Sequence, residues 1–118
     1  MSEKKYDWHK IAQHNAELEL NSNSIAVVEV KGKKICIAKS QEQWFAFAYK
    51  CPHAGAVLSY GHIDAACNIV CPVHRYKFNL KNGYNSTGEG YYLKTYPIKE
   101  SEDGVFVGMP EGGLLGWL

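Results

Sequence analysis

Two short motifs in this 118-residue chain each combine a thiol with an imidazole. The first is C-P-H, from Cys51 to His53, and the second is C-P-V-H, from Cys71 to His74. Residues 54 to 70, 17 in all, separate the two motifs. Because a thiolate is a soft ligand and an imidazole a borderline one, each motif offers a metal one ligand of each kind. The four side chains are therefore candidate metal ligands.

The mixed composition of the motifs bears on the kind of metal site. A single zinc ion accepts two sulfurs and two nitrogens, but zinc motifs usually pair like with like, as C-x-x-C facing H-x-x-x-H. A two-iron cluster explains mixed motifs better, because each motif can send its thiolate to one iron and its imidazole to the other. A structural zinc module stays open as the weaker alternative.

Composition narrows the classes of function. Hydrophobic residues make up 46% of the chain and charged residues 21%, as in an ordinary globular domain. The net charge of +1 provides no field that favours nucleic acid or an anionic membrane as partner. We expect one domain, residues 1–118, in the cytoplasm, because no secretory or membrane-spanning pattern is found in the sequence. We expect the four cysteines to be reduced.

Short segments rich in valine, isoleucine and aromatic residues alternate with turn residues along the chain. This pattern predicts an all-β fold. The predicted strands cover residues 24–30, 33–39, 43–50, 76–80, 91–99 and 105–109. Lys31 and Gly32 predict a hairpin turn between the first two. We expect residues 50 to about 84 to form an inserted metal-binding lobe, and the apolar residues 111–118 to dock onto their own domain.

On these motifs the sequence resembles the Rieske ferredoxin family, and the resemblance covers nearly the whole chain. CPHAGAVLSYG and CPVHRYKFNLKNG match the two cluster loops of the family, and TYPIKESEDGVFV matches its closing hairpin. The resemblance implies an antiparallel sandwich of small sheets that carries one 2Fe-2S cluster in a lobe formed by two loops. It also implies that Cys51 and Cys71 bind the inner iron, while His53 and His74 bind the outer iron and turn their free ring nitrogens to solvent.

The exposed histidine edges imply that electrons leave at the tip of the lobe, where a partner docks briefly over a small area. Small and apolar residues are expected to form this tip: Ala54, Gly55, Ala56, Leu58 and Val73. Pro52 and Pro72 are expected to stiffen the loops. Gly55 and Gly61 are expected to allow tight turns near the sulfides.

The chain departs from some members of the family. Rieske proteins of cytochrome bc complexes carry an extra cysteine in each loop, at positions held here by Ala56 and Val73, so the chain resembles the soluble ferredoxins instead. High-potential relatives place a serine and a tyrosine after the second histidine, at positions held here by Tyr76 and Phe78. The loss of two hydrogen-bond donors to the cluster predicts a potential toward the lower end of roughly −150 to +300 mV.

Arg75 occupies a position where many relatives have glycine, and it allows two interpretations. It is either a loop residue with its side chain in solvent, or it forms with Lys77 a basic patch that attracts an acidic partner. Of the remaining cysteines, Cys36 is expected in the core and Cys67 in a loop or at a strand edge.

The other histidines, His9, His14 and His62, are expected to be structural or surface groups. None of them makes, with a nearby carboxylate, the two-histidine, one-carboxylate site of a mononuclear iron oxygenase, so we do not expect the chain to catalyse oxygenation by itself. Several aromatic residues are predicted to lie in the core: Trp8, Trp44, Phe45, Phe47 and Tyr96.

The predicted function is one-electron transfer from a reductase, with a flavin enzyme as the expected donor, to an oxygenase or another redox enzyme. The alternative from the same resemblance is the small subunit of an assimilatory nitrite reductase, with its large subunit as acceptor. Retention of all four candidate ligands favours the carrier. We expect neither nucleic acid nor a membrane as partner.

Overall fold

The computed structural model describes residues 6–52, 55–73, 75–86 and 90–110. Its strands are β1 (Tyr6–Ala12), β2 (Ile25–Val30), β3 (Lys33–Ser40), β4 (Gln43–Ala48), β5 (His62–Ile63), β6 (Asn68–Val70), β7 (Lys77–Asn79), β8 (Thr95–Tyr96), β9 (Ile98–Ser101) and β10 (Gly104–Pro110). Helical structure in the described residues is limited to the 3-10 turns Asn15–Glu17 and Leu58–Tyr60. No helix in these ranges has the length and apolar character to cross a bilayer.

The strands form three small antiparallel sheets, which confirms the predicted fold class. The central sheet has the order β2-β3-β4-β8, a second sheet has the order β1-β10-β9, and the lobe sheet has the order β5-β6-β7. Alternate residues of a strand face opposite sides of its sheet. On β3, Cys36 and Ala38 therefore pack with the lobe, while Ile35 and Ile37 pack with β10. The central sheet thus separates two hydrophobic cores.

Two-residue turns join the long strands of the central sheet. Lys31 and Gly32 have φ values of 53° and 75°, and Gln41 and Glu42 have φ values of 53° and 65°. Positive φ at both central residues is the geometry of a type I′ hairpin turn, whose twist matches that of the strands. The first turn confirms the predicted hairpin.

The predicted strand over residues 91–99 is wrong, because the chain changes sheets at Pro97. The strand β8 before it pairs with β4, and β9 after it pairs with β10. Proline has no N–H group for a strand ladder, while the Pro97 carbonyl accepts the Gly108 N–H at 2.9 Å. The prediction also missed β1, which pairs with β10 from Tyr6 opposite Pro110 onward.

The predicted aromatic core is confirmed at Phe47 and Tyr96, is only half-buried at Trp44 and Phe45, and is wrong at Trp8. Phe47, Tyr96 and Cys36 are buried, as expected. Trp8 is 40% exposed, and the Lys99 ammonium lies 4.3 Å from the centroid of its ring. The ring therefore interacts with a surface cation as well as with the protein. Cys67 is also buried, with a left-handed backbone at φ 66°.

Candidate metal centre

The two cysteine loops share one pattern of backbone hydrogen bonds. In the first loop, residues 51–56, the Cys51 N–H donates to the Ala56 carbonyl at 2.8 Å. In the second loop, residues 71–76, the Cys71 N–H donates to the Tyr76 carbonyl, also at 2.8 Å. Each cysteine thus begins a loop that closes five residues later.

The residues that flank the two loops also pair in the same way. Lys50 forms an antiparallel bridge with Val57, and Val70 lies opposite Lys77 in the β6–β7 pair. In both cases the residue before the cysteine pairs with the residue six positions after it. Because two different sequences adopt the same plan, the requirement they share is the placement of the cysteine at the base of a short loop.

The position four residues after each cysteine has a left-handed backbone. Gly55 has φ 68° and Arg75 has φ 56°. Glycine adopts this conformation without steric cost, and Gly55 confirms the tight turn expected there. For other residues the left-handed region costs roughly 1–2 kcal/mol. Arg75, whose side chain is exposed, therefore carries a backbone cost that Gly55 avoids.

The two thiols are buried and close to each other. Cys51 and Cys71 are 2% and 0% exposed and belong to one core cluster. Burial raises the pKa of the Cys71 thiol, and a hydrogen bond with the Cys51 thiol raises this pKa further. The Val73 N–H, 3.4 Å from Cys71 Sγ, opposes both effects because it stabilises a thiolate. Two buried thiols that meet in this way suit a metal centre, since a coordinating metal deprotonates the thiol and compensates its charge.

The two histidines of the predicted ligand set, His53 and His74, lie outside the described residues. Within the described part of the chain, no group of three or more histidine, cysteine, aspartate or glutamate side chains is placed to hold a metal. The described half of the ligand set is the cysteine pair. The complete set of four ligands stays a prediction.

The predicted tip is confirmed only in part. Gly55 is exposed and Val73 is 40% exposed, while Ala56 is half-buried. Leu58 is fully buried, so its assignment to the tip is wrong. The Leu58 N–H donates to the Tyr49 carbonyl at 2.8 Å, which draws the chain back over the central sheet and buries the side chain below the loops. Ala54 lies outside the described residues.

Gly61 has a different role from the one expected. Its φ is −82°, which any residue can adopt. A Cβ atom at this position would lie 2.1 Å from the Val70 carbonyl oxygen. Gly61 is therefore required because the chain that leaves the first loop passes directly over the strand that enters the second.

The residues after the second loop support it in ways that differ from each other. Phe78 is fully buried in the core cluster that holds both cysteines. The half-buried Tyr76 contacts the Tyr91 ring, with the ring centroids 6.2 Å apart. Phe78 therefore shields the cysteines from water and provides no hydroxyl group.

Sequence reasoning missed Asp64, which ties the lobe together. Its carboxylate accepts hydrogen bonds from the N–H groups of Ala66 and Asn68 and lies 3.7 Å from the Lys77 ammonium. Burial alone would raise the pKa of this carboxyl, but the hydrogen bonds and Lys77 outweigh it and hold the pKa below its usual value. The sequence D-A-A-C-N is typical of an Asx turn and was the available signal.

Comparison with known families agrees with this geometry. A family model described as Rieske [2Fe-2S] domain matches residues 7–97, a range that contains both cysteine loops. The chain belongs to the Rieske 2Fe-2S domain family. Its cofactor is accordingly a Rieske 2Fe-2S cluster, one per chain, as the sequence predicted.

Two curated proteins illustrate the range of relatives. The 3-phenylpropionate/cinnamic acid dioxygenase ferredoxin subunit of Escherichia coli (strain K12) is 29% identical over 73 residues, 58% of this chain and 66% of that protein. The cholesterol 7-desaturase nvd of Bombyx mori is 24% identical over 108 residues, 85% of this chain but 23% of that protein. The chain thus spans slightly under two thirds of the first relative and less than a quarter of the second.

Solved structures of similar fold include ferredoxins of carbazole 1,9a-dioxygenase. The ferredoxin from Nocardioides aromaticivorans IC177 has a TM-score of 0.72 at 19% identity, over 88% of this chain and 98% of that one. A chain in the complex of reduced oxygenase and oxidized ferredoxin of carbazole 1,9a-dioxygenase has a TM-score of 0.71 at 24% identity, over 86% of this chain and 92% of that one. These similarities confirm the fold that the sequence predicted.

Proposed function

We propose that this chain is a one-electron carrier that passes electrons from a reductase to a terminal oxygenase or another redox enzyme. The observation that supports it most strongly is the meeting of two buried thiols, Cys51 and Cys71, from loops of matched backbone inside the region that matches the Rieske family. Similarity to dioxygenase ferredoxin subunits favours this carrier over the small subunit of a nitrite reductase.

We further propose the four-ligand assignment and the domain boundaries. Cys51 and Cys71 would hold the inner iron, and His53 and His74 the outer iron. When bound, the cluster supplies a centre that accepts and releases one electron. Residues 1–118 would form a single Rieske domain in the cytoplasm, with the lobe at about residues 50–84. A flavin-dependent reductase is the proposed donor.

The described residues contribute to electron transfer in two ways. Some keep water away from the cysteines, and others leave the loops accessible to a partner. Phe78 and Leu58 are fully buried beside the cysteines and keep water from the sulfur ligands. The Val73 N–H stabilises negative charge on Cys71 Sγ, a contact that tunes the potential of iron–sulfur centres. Gly55 and Val73 are exposed on the two loops, so a partner meets small side chains next to the centre.

A redox titration followed by electron paramagnetic resonance tests the proposal. We expect uptake of one electron per chain and a midpoint potential below zero, because Phe78 has no hydroxyl group to stabilise the reduced state. The reduced protein should pass its electron to cytochrome c in a single kinetic phase. A midpoint well above zero would contradict the low-potential assignment. Failure to take up an electron reversibly would contradict the carrier function.

A further inference from the structure

Two asparagines in the segment before β2 hold the stretch of chain that links the two cysteine loops. The Asn21 side-chain amide donates to the Ser59 carbonyl at 2.9 Å, and the Asn23 side-chain amide donates to the Gly61 carbonyl at 2.7 Å. Each donor lies 38 positions before its acceptor. Two alternate residues of one segment therefore meet two alternate residues of the linking segment.

The segment that carries these two amides is fixed by its own hydrogen bonds. The Asn21 side-chain oxygen accepts the N–H groups of Asn23 and Ile25 at 2.8 and 3.1 Å. The backbone is closed as well, because the Asn21 N–H donates to the Ile25 carbonyl at 2.8 Å and the Ser24 N–H donates to the Asn21 carbonyl at 2.9 Å. Ile25 begins β2 and is buried in the core cluster that holds the cysteines. The two amides thus extend from a well-anchored turn.

A third side-chain amide reaches the same linking segment from a neighbouring turn. Gln41 lies in the β3–β4 turn, and its Nε2 donates to the Ala65 carbonyl at 3.2 Å. This turn is at the end of the central sheet where β2 begins, since the Lys39 N–H donates to the Ser24 carbonyl at 3.3 Å. We call the three donors the amide contact: Asn21, Asn23 and Gln41.

The bond to Gly61 acts on the second cysteine loop. Gly61 lies directly against Val70, so that a Cβ atom on Gly61 would collide with the Val70 carbonyl oxygen. His62, the next residue, pairs with Val70 in the β5–β6 ladder, and Val70 immediately precedes Cys71. A shift of the Gly61 carbonyl away from Asn23 therefore moves the strand that presents the Cys71 thiol.

The bond to Ser59 acts on the first cysteine loop. Ser59 follows Leu58, whose N–H donates to the Tyr49 carbonyl at 2.8 Å. The Leu58 side chain is fully buried in the core cluster that contains Cys51 and Cys71. The amide contact thus holds, from the side of the central sheet, the chain on which the placement of both thiols depends.

We propose that Asn21 and Asn23 are positioning residues for the iron–sulfur cluster, because they fix the two cysteine loops relative to each other through the backbone of the linking segment. The inference rests on the proposed carrier function and ligand assignment. Residues that orient metal ligands without touching the metal typically change metal affinity or activity about 10- to 100-fold when they are replaced. Both asparagines are exposed, so their replacement removes hydrogen bonds and leaves the hydrophobic cores intact. The longer bond of Gln41 should contribute least.

Release of iron from the cluster-loaded protein to the chelator bathophenanthroline disulfonate measures how firmly the loops hold the cluster. Asn23→Ala removes the bond to Gly61. Asn21→Asp keeps an oxygen that accepts the N–H groups of Asn23 and Ile25, but it has no N–H group for the Ser59 carbonyl. We expect the double variant Asn21→Asp/Asn23→Ala to release iron about tenfold faster than the unmodified protein. The electron paramagnetic resonance lines of its reduced cluster should broaden, because less firmly held loops permit a spread of cluster geometries.

Two exposed residues close in sequence provide matched controls. Asn15→Ala also removes a side-chain amide bond between distant segments, from Asn15 Nδ2 to Glu100 Oε2 at 2.6 Å, but this bond ties the chain to β9 and not to the lobe. Ser22→Asp adds a carboxylate between the two asparagines and removes no amide. Neither control should change the rate of iron release or the width of the resonance lines.

The outcomes separate the inference from the function on which it rests. Unchanged iron release and line width in the double variant, or an equal acceleration in either control, would overturn the positioning role, while an intact cluster in the unmodified protein upholds the carrier. Absence of iron from the unmodified protein would instead overturn the carrier function. If the double variant does not fold, Asn23→Ala decides, because it keeps every hydrogen bond within the segment. With one hydrogen bond lost, this variant should release iron about fivefold faster.

Discussion

The two cysteine loops have the same backbone plan but reach it with different residues. The first uses Gly55 at its left-handed position, whereas the second uses Arg75. The second loop is also supported from outside, because Lys77 next to it pairs with Asp64. The difference indicates that the metal site fixes the backbone of a loop, while the strain of an unsuited residue is tolerated where neighbouring contacts offset it. One loop is adapted locally, and the other depends on its surroundings.

The largest effect we expect is loss of the cluster when the cysteine of either loop is replaced. Both loops should be equally necessary. Cys51→Ser and Cys71→Ser should each abolish visible absorption and bound iron, because one missing thiolate leaves the inner iron with an incomplete ligand set. Iron analysis and absorption spectra measure the outcome. Iron retained at the normal level in either variant would show that the loops do not act as a pair.

The remaining cysteines provide controls. Cys36 and Cys67 are buried in the same core cluster as the candidate ligands. Burial raises the pKa of the Cys36 thiol to about 12, so this thiol stays protonated at neutral pH. Cys36→Ala and Cys67→Ala should therefore retain a full complement of iron.

We expect the second-largest effect at the close approach between Gly61 and Val70, where the chain that leaves the first loop passes the strand that enters the second loop. Gly61→Ala forces a methyl group toward the Val70 carbonyl oxygen, which lies 2.1 Å from the added carbon atom. We expect the free energy of unfolding to fall by more than about 2 kcal/mol, in the range of severe packing mutations. Denaturant unfolding followed by circular dichroism measures it. A fall no larger than that of Gly55→Ala, whose added methyl meets no atom within 4 Å, would contradict the close approach.

The left-handed positions should respond with opposite signs. Gly55→Ala should destabilise the protein by about 1 kcal/mol, while Arg75→Gly should stabilise it by less than about 1 kcal/mol, because glycine removes strain but gains freedom when unfolded. Thermal unfolding of the cluster-loaded protein compares the two. Gly32→Ala, at φ 75° with open space, should match Gly55→Ala in stability without touching the loops. If Gly55→Ala and Arg75→Gly changed the stability in the same direction, the contrast between the two loops would be contradicted.

The external support of the second loop should show as a small, pH-dependent effect. The pKa of Asp64 is held below its usual value, so the carboxylate stabilises the fold above the unfolded pKa of about 3.9 and loses this contribution as the pH falls through the folded pKa. Asp64→Asn should cost about 0.5 kcal/mol at neutral pH, since the ion pair is partly exposed. Denaturant curves at several pH values should show the difference shrinking below about pH 4.

Asp103 offers a control, because it is exposed in the β9–β10 turn and lies outside the lobe. Asp103→Asn should leave the denaturation midpoint unchanged across the same pH values. A difference between Asp64→Asn and the unmodified protein that stays constant through acid would contradict the assigned role of the charge.

Local patterns in the sequence predicted the parts of the structure that depend on neighbouring residues. The hairpin at Lys31 and Gly32 follows from turn chemistry, and burial of Cys36 follows from its place in the apolar run ICIA, residues 35–38. The cysteine pair followed from the ligand types in the two motifs. In each case the residues that determine one turn, one strand or one motif lie within a few positions of one another.

The sequence predictions were wrong where contacts between distant segments of the chain determine the structure. Pro97 divides a predicted strand because its two sides pair with different sheets. Leu58 is apolar and close to the first loop, but its backbone bond to Tyr49 turns it into the core. Lys33 and Lys94 are close enough to interact only because β3, β4 and β8 lie side by side in the central sheet. No local pattern reports such a contact.

Metal and sulfide analysis of the purified protein, combined with electron paramagnetic resonance after reduction, tests the central claim most directly. We predict two irons and two sulfides per chain, the content of a 2Fe-2S centre, and a reduced signal whose average g value lies below that of the free electron. A colourless protein that contains stoichiometric zinc, lacks iron and gives no signal after reduction would contradict the proposed electron carrier.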